Sequence, residues 1–242
     1  MKSLIVCSTL LAAVSLLAAD KDDVTSAAQK LADADNYSWT STMAGGNNAA
    51  GASTHGKIQK DGLTWIQMIR GENTTEAFVK GGKGAVKTED GWDAVDLTAA
   101  PAPGGGGGGG GGGNAARMGR GLRNFKAPAV QAADIVGKTK DITKTADVYA
   151  GDLTEEGAKS LATMGGRRGG AGGGAAPTIS NVKGSAKFWI KDGVITKYVL
   201  KVSGTRTRDG EDTDFERTTT VEIKDVGTTK LTVPDEAKNK MS

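Results

Sequence analysis

The chain has 242 residues, 31 Lys+Arg against 28 Asp+Glu for a net charge of +3, and 37% hydrophobic but only 5% aromatic residues, the size of one or two small domains. One His (His55) and one Cys (Cys7) leave too few partners for a zinc or haem centre or a Cys/His nucleophile. The 37 glycines exceed the usual share of about 7%, and they gather at Gly104–Gly113, at Gly119 and Gly121, and between Gly165 and Gly174.

Met1-Lys2, an apolar run from Leu4 to Leu17, and then Ala18-Ala19-Asp20 before Lys21-Asp22-Asp23 follow the order of a secretory signal peptide. Residues 1–19 are expected to be removed and the rest exported to the periplasm or outside the cell. The run falls short of the roughly 17–25 residues of a spanning helix, so no transmembrane segment is expected after processing. Cys7 lies inside the run with no small residue before it, unlike a lipid-modified cysteine. Removal takes Lys2 and Cys7 and no acid, leaving a net charge of +2 and no disulfide, so stability must come from packing.

Val24, Ala27, Ala28 and Leu31 recur at helical spacing behind Asp22-Asp23 and predict a helix over about residues 23–34. From Tyr37 the period becomes two, with Tyr37, Trp39, Ser41 and Met43 on one face of a strand. Asp61-Gly62, Gly81-Gly82 and Asp90-Gly91 then predict two-residue hairpin turns. Those turns would set Ile58 opposite Trp65 and Val86 opposite Val95, apolar against apolar.

Beyond a Gly-rich linker at 98–123, Pro128 and Gly137 bracket a predicted helix over about 128–136. Ile142–Tyr149 reads as one strand, and Asp152-Leu-Thr-Glu155 as a capping box for a helix running to Gly165-Gly166. After a second Gly-rich stretch, 165–177, strands are predicted at Gly184–Lys191, Val194–Arg208, Phe215–Lys224 and Lys230–Val233. The whole is mainly β (α+β), with ten or eleven antiparallel strands and three short helices. Residues 20–242 are expected to form a single domain that the two low-complexity segments interrupt.

Three stretches carry a family resemblance: Val148-Tyr-Ala-Gly-Asp-Leu-Thr-Glu155, Ala186-Lys-Phe-Trp-Ile-Lys-Asp-Gly193 and Thr218–Pro234. Together with the order of elements over most of residues 23–236, they resemble the LolA-like and LppX/LprG-like exported lipoprotein carriers. The resemblance implies an unclosed antiparallel half-barrel with helices packed in its opening, and a concave apolar cavity for acyl chains. The chain departs from that pattern in its two Gly-rich insertions and in lacking a lipidation cysteine, so membrane anchoring is not carried over.

A lipid or other amphiphile would need large apolar residues facing inward, and the strands offer Trp65, Met68, Phe78 and Trp92, then Phe188, Trp189, Tyr198 and Leu200. The competing reading makes each of them ordinary core. Arg117, Arg120, Arg123, Arg167 and Arg168, spaced by glycines, present unhindered guanidiniums that fit an anionic envelope polymer or membrane headgroups, against the plainer reading of solvated loops. No aromatics interleave these arginines, so no nucleic acid is expected. The ten-glycine run has no Gly-Lys-Ser/Thr behind it and reads as a spacer, not a phosphate loop. His55 reads as a turn residue, and Asp209–Asp214 does not match a twelve-residue calcium loop. No cofactor, metal or catalytic residue is predicted. The reading is a non-enzymatic exported binding protein that shields a lipid, or alternatively an interaction module held by its Arg/Gly loops.

Overall fold

The computed structural model describes residues 10–45, 52–99, 118–119, 121–164, 177–208 and 210–242. Helix α1 (Leu10–Ala32) leads into a meander of β1 (Asn36–Gly45), β2 (Ser53–Gln59), β3 (Thr64–Arg70), β4 (Asn73–Lys80), β5 (Lys83–Thr88) and β6 (Gly91–Asp96). After α2 (Pro128–Gly137) come β7 (Thr143–Thr145), β8 (Val148–Asp152) and α3 (Glu155–Met164). The long strands β9 (Thr178–Lys191), β10 (Val194–Arg208) and β11 (Glu211–Lys224) precede a C-terminal helix α4 (Asp235–Lys240). All eleven strands form one antiparallel sheet in the order β6-β5-β4-β3-β2-β1-β11-β10-β9-β8-β7. The two ends do not pair with each other, so the sheet is an unclosed half-barrel. Its two local meanders are joined where β1 pairs with β11, from Ser38↔Lys224 to Gly45↔Arg217.

The turns follow from the residues that tolerate positive φ. Gly81-Gly82 links Lys80 to its partner Lys83 in a two-residue turn, and Asp192-Gly193, with φ of +55° and +74°, does the same for Lys191 and Val194. Two other expected registers are corrected. Lys60-Asp61-Gly62 is a three-residue loop with Gly62 at φ +83°, so Ile58 faces Thr64, and Lys57 faces Trp65. One residue of slip sends Ile58 and Trp65 to opposite sides of the sheet. At β5–β6 the pairs are Thr88↔Gly91, Val86↔Asp93 and Gly84↔Val95. Gly91 is therefore a strand residue, and the Glu236 carboxylate occupies the space its Cβ would take.

Further corrections lie near helices. The first helix begins at Leu10, well before the expected residue 23. Ala146-Asp147 folds the single strand expected at Ile142–Tyr149 into the β7–β8 hairpin, Ala146 taking φ +52°. Asp152 lies in β8, and the N-terminus of α3 is capped by Thr154, whose Oγ1 accepts the Gly157 N–H at 3.0 Å. Lys230–Val233 is not a strand; it runs across the sheet into α4. The expected linker ends in packed structure, because Met118 and Leu122 are buried.

Strand alternation gives the sheet two apolar sides. One is roofed by α1, α2 and α3, and holds the larger core, centred on Trp39, Ile66, Phe188, Tyr198, Val202 and Val221. The opposite side of β3–β6 holds a smaller core in which Phe78, Ala85 and Trp92 are covered by Val233 and Ala237 of the C-terminal segment.

Candidate functional site

The buried face of the roof mixes alanines with branched residues. Val24, Ala27, Ala28 and Leu31 of α1 are all buried at helical spacing, as expected, and α2 contributes Ala129, Ala132, Ile135 and Val136. Its polar contacts lie around this apolar seam. Tyr198 donates to Gln131 Oε1 at 2.5 Å, and the Ala129 N–H donates to the Tyr37 hydroxyl at 3.5 Å, so both phenols point at α2. Burial pushes the Tyr37 hydroxyl up to about 12 and raises Tyr198 as well. The middle of α1 is tied down by Lys21 Nζ to Thr139 O at 2.9 Å, Tyr149 OH to Asp23 Oδ2 at 3.0 Å, and the Lys144 N–H to Asp20 Oδ2 at 2.8 Å.

The eight apolar candidates are not brought together. Phe188, Tyr198 and Leu200 are buried beneath the roof, the first two with ring centroids 6.3 Å apart, and Met68 packs at the margin of the same core. Trp65, Phe78 and Trp92 lie on the opposite side, where Phe78 and Trp92 are 5.3 Å apart and Trp65 Nε1 donates to Glu76 Oε1 at 2.6 Å. Trp189 also faces away from the roof, with Lys197 Nζ 5.4 Å from its ring. The pleat explains the division, since Phe188 and Trp189 are neighbours in sequence and must point to opposite sides.

Two of the grooves that open among the described residues are lined by none of the eight. The larger, about 720 Å³, lies between α3 and β9 and carries Lys140, Asp152, Glu155, Lys159, Asn181 and Lys183 among its walls. The smaller, about 320 Å³, lies between α1 and the β8–β9 region, beside Lys30 and Tyr149. Of the predicted arginines, Arg117, Arg120, Arg167 and Arg168 lie outside the described residues. Arg123 donates through Nη2 to Asp96 O at 3.3 Å, which ties it to its own fold.

Sequence reasoning missed a pair of arginines on the roofed side of β10 and β11. Arg217 stands opposite Val202, Phe215 opposite Gly204, and Arg206 opposite Thr213. The Arg206 guanidinium carbon is 5.6 Å from the centre of the Phe215 ring, and its Nε is shut from solvent with no acceptor. Arg217 Nη2 donates to Leu161 O in α3 at 2.7 Å. Burial and then the charge of Arg206 pull its guanidinium below its ordinary value. The signal was present as alternation in Thr205-Arg-Thr-Arg208 and Phe215-Glu-Arg217, but it is readable only once the pairing register is known.

His55 Nδ1 and Nε2 each lie 3.3 Å from a hydroxyl, of Thr40 and Ser53, in the middle of the β1–β2 pairing. Among the described residues no group of three or more His, Cys, Asp or Glu is placed to hold a metal. Among them, too, no helix is long and apolar enough to cross a membrane.

No protein-family model matches the chain, and no curated protein matches it. Its likenesses are to solved structures. It is similar to LprF from Mycobacterium bovis, at 11% identity over 91% of this chain and 98% of that one, with a TM-score of 0.47. It is also similar to the lipoprotein LppX of Mycobacterium tuberculosis, at 8% identity over 90% and 99% of the two chains, again at 0.47. A LolA superfamily protein from Nitrosomonas europaea matches at 9% identity over 90% and 95%, with a TM-score of 0.32.

Proposed function

We propose that this chain is an exported, non-enzymatic binding protein that holds a lipid or other amphiphile between its open sheet and the helices laid across it. The observation that carries the reading is the construction of that seam. An apolar sheet face, free of closing strands, is roofed by helices that touch it through alanines and a few branched residues. Side chains fill the seam in the state described, so an acyl chain would enter as the roof lifts. Each methylene removed from water contributes about 0.8 kcal/mol toward offsetting the loss of helix–sheet contact. No polar catalytic group is needed for such transfer.

Export rests on the signal-like residues 1–19. Asp20, Lys21 and Asp23, which tie α1 to the fold, all lie beyond the expected cut after Ala19. The test is native mass spectrometry of the exported chain, with organic extraction of anything bound. A stoichiometric lipid adduct that survives high salt supports the reading, because burial of an acyl chain is not screened by ions. A clean mass after incubation with envelope lipids overturns it.

A further inference from the structure

The outer half of the β10–β11 hairpin separates its charges by side. Asp212 and Asp214 face away from the roof, where Thr207 and Thr205 donate to them at 2.6 and 2.9 Å, and Glu216 meets Lys201 there at 2.8 Å. Arg206 and Arg217 face the other way, with the Phe215 ring between their strand positions. Neither has a carboxylate partner among the described residues. Arg217 is turned to a helix carbonyl, and Arg206 keeps a buried Nε–H that meets no acceptor among the described residues. Two half-buried cations four positions apart along one face of the hairpin, each without a carboxylate partner among the described residues and the charge of one acting on the other, make a poor structural element. An acceptor-rich anion would supply the missing counter-charge and relieve the mutual repulsion.

We propose that Arg206 and Arg217 form a receptor for a phosphoryl group, with Phe215 as its apolar floor. Two planar guanidinium forks present more donors than the two oxygens of one carboxylate can use, whereas the oxygens of a phosphate ester can engage both. Stacking on Phe215 fixes the plane of Arg206 and so the direction of its donors. The phosphoryl group could belong to free phosphate or to a lipid headgroup. The site stands on these three residues and not on the carrier reading.

The experiment follows the arginine Nε–H resonances of the full exported chain by NMR during two titrations. One uses inorganic phosphate, the other dihexanoyl phosphatidylglycerol below its micelle concentration. The Arg206 and Arg217 resonances are expected to shift together and to saturate. Arg206→Gln should weaken binding at least tenfold with the backbone spectrum otherwise retained, and Arg206→Lys should restore part of it. Equal affinity for the two probes assigns the site to free phosphate, and at least tenfold tighter binding of the lipid assigns it to a headgroup. Resonances that stay fixed with both probes, or shifts that Arg206→Gln leaves unchanged, overturn the proposal. A protein that binds phosphate but emerges free of lipid in the mass measurement keeps this site and loses the carrier function.

Discussion

Trp39 lies directly across from Gly56 on β1 and β2, and its indole fills the space that a Cβ on Gly56 would need. Phe125 stacks on the same indole, with centroids 5.8 Å apart and planes 20° from parallel. The glycine is thus a packing requirement, at a backbone angle any residue could adopt. Gly56→Ala should destabilise the protein by about 1–3 kcal/mol through overpacking, read as a lower urea midpoint at unchanged slope.

Adjacent residues on β9 should respond oppositely to truncation. Phe188 is fully buried beneath the roof, and Phe188→Ala is expected to cost about 3–5 kcal/mol. Trp189 is only half-buried on the far side, and Trp189→Ala should cost well under half of that. Thermal melting of the two variants checks the order, and a larger loss at Trp189 would contradict the assignment of faces.

The C-terminal helix should report on the smaller core. The Trp92 N–H donates to Glu236 Oε1 at 3.2 Å, and Ala237 is buried beside Trp92 and Phe78. Removing residues 231–242 should uncover Trp92 and shift tryptophan emission to the red. Glu236→Gln, which keeps an acceptor oxygen, should leave the emission nearly unchanged.

Acid should weaken the fold through Asp134. Burial on its own would raise this carboxyl, but hydrogen bonds and charge from Lys138 and Lys126 outweigh that effect and hold it below its ordinary value. A carboxylate lowered on folding contributes stability that is present above its unfolded value near 4 and is lost as pH falls through the folded one. Unfolding free energy measured from pH 7 to pH 2 should therefore decline, and Asp134→Asn should flatten part of the decline.

Base acts through Tyr37 with the opposite dependence. Its hydroxyl is raised on folding to about 12, so the associated stability is intact below the unfolded value near 10 and is lost as pH rises through the folded one. Absorbance at alkaline pH should show Tyr37 ionising only above pH 11 or on unfolding, and Tyr37→Phe should extend the stable range upward.

Much of the sheet was legible because glycine at turns and period-two alternation are local signals. Gly81-Gly82 set its register from sequence alone, whereas the register that starts at Lys191 and Val194 shifts between Ile195 and Lys197, where no local signal announces it. Lys60-Asp61-Gly62 did not, because a two-residue and a three-residue loop share the same Asp-Gly and differ by one paired residue. Gly91 looked like a turn glycine, and its φ of +129° does call for one, but it pairs with Thr88 as the first residue of β6 and also meets the Glu236 carboxylate, far along the chain. The half-barrel expected from the family resemblance is the architecture observed. Alternation could separate Phe188 from Trp189, but it could not show that Phe78 and Trp92 would be covered by the chain's own C-terminus. The Arg206–Phe215–Arg217 cluster depends on the pairing of two strands, which composition does not reveal.

The β1–β11 seam also bears on when the fold can form. Strands β2 to β6 pair with neighbours close in sequence, and β8 reaches across α3 to β9, as in Val148↔Trp189, but Ser38 must wait for Lys224, 186 positions later. Contacts so distant in sequence form slowly, and the β1 edge lies open to other strands until they do. During synthesis this chain can therefore complete its sheet only when almost all of it has emerged. Under the export proposed above, that delay would keep the chain in a state that can still be threaded through a membrane.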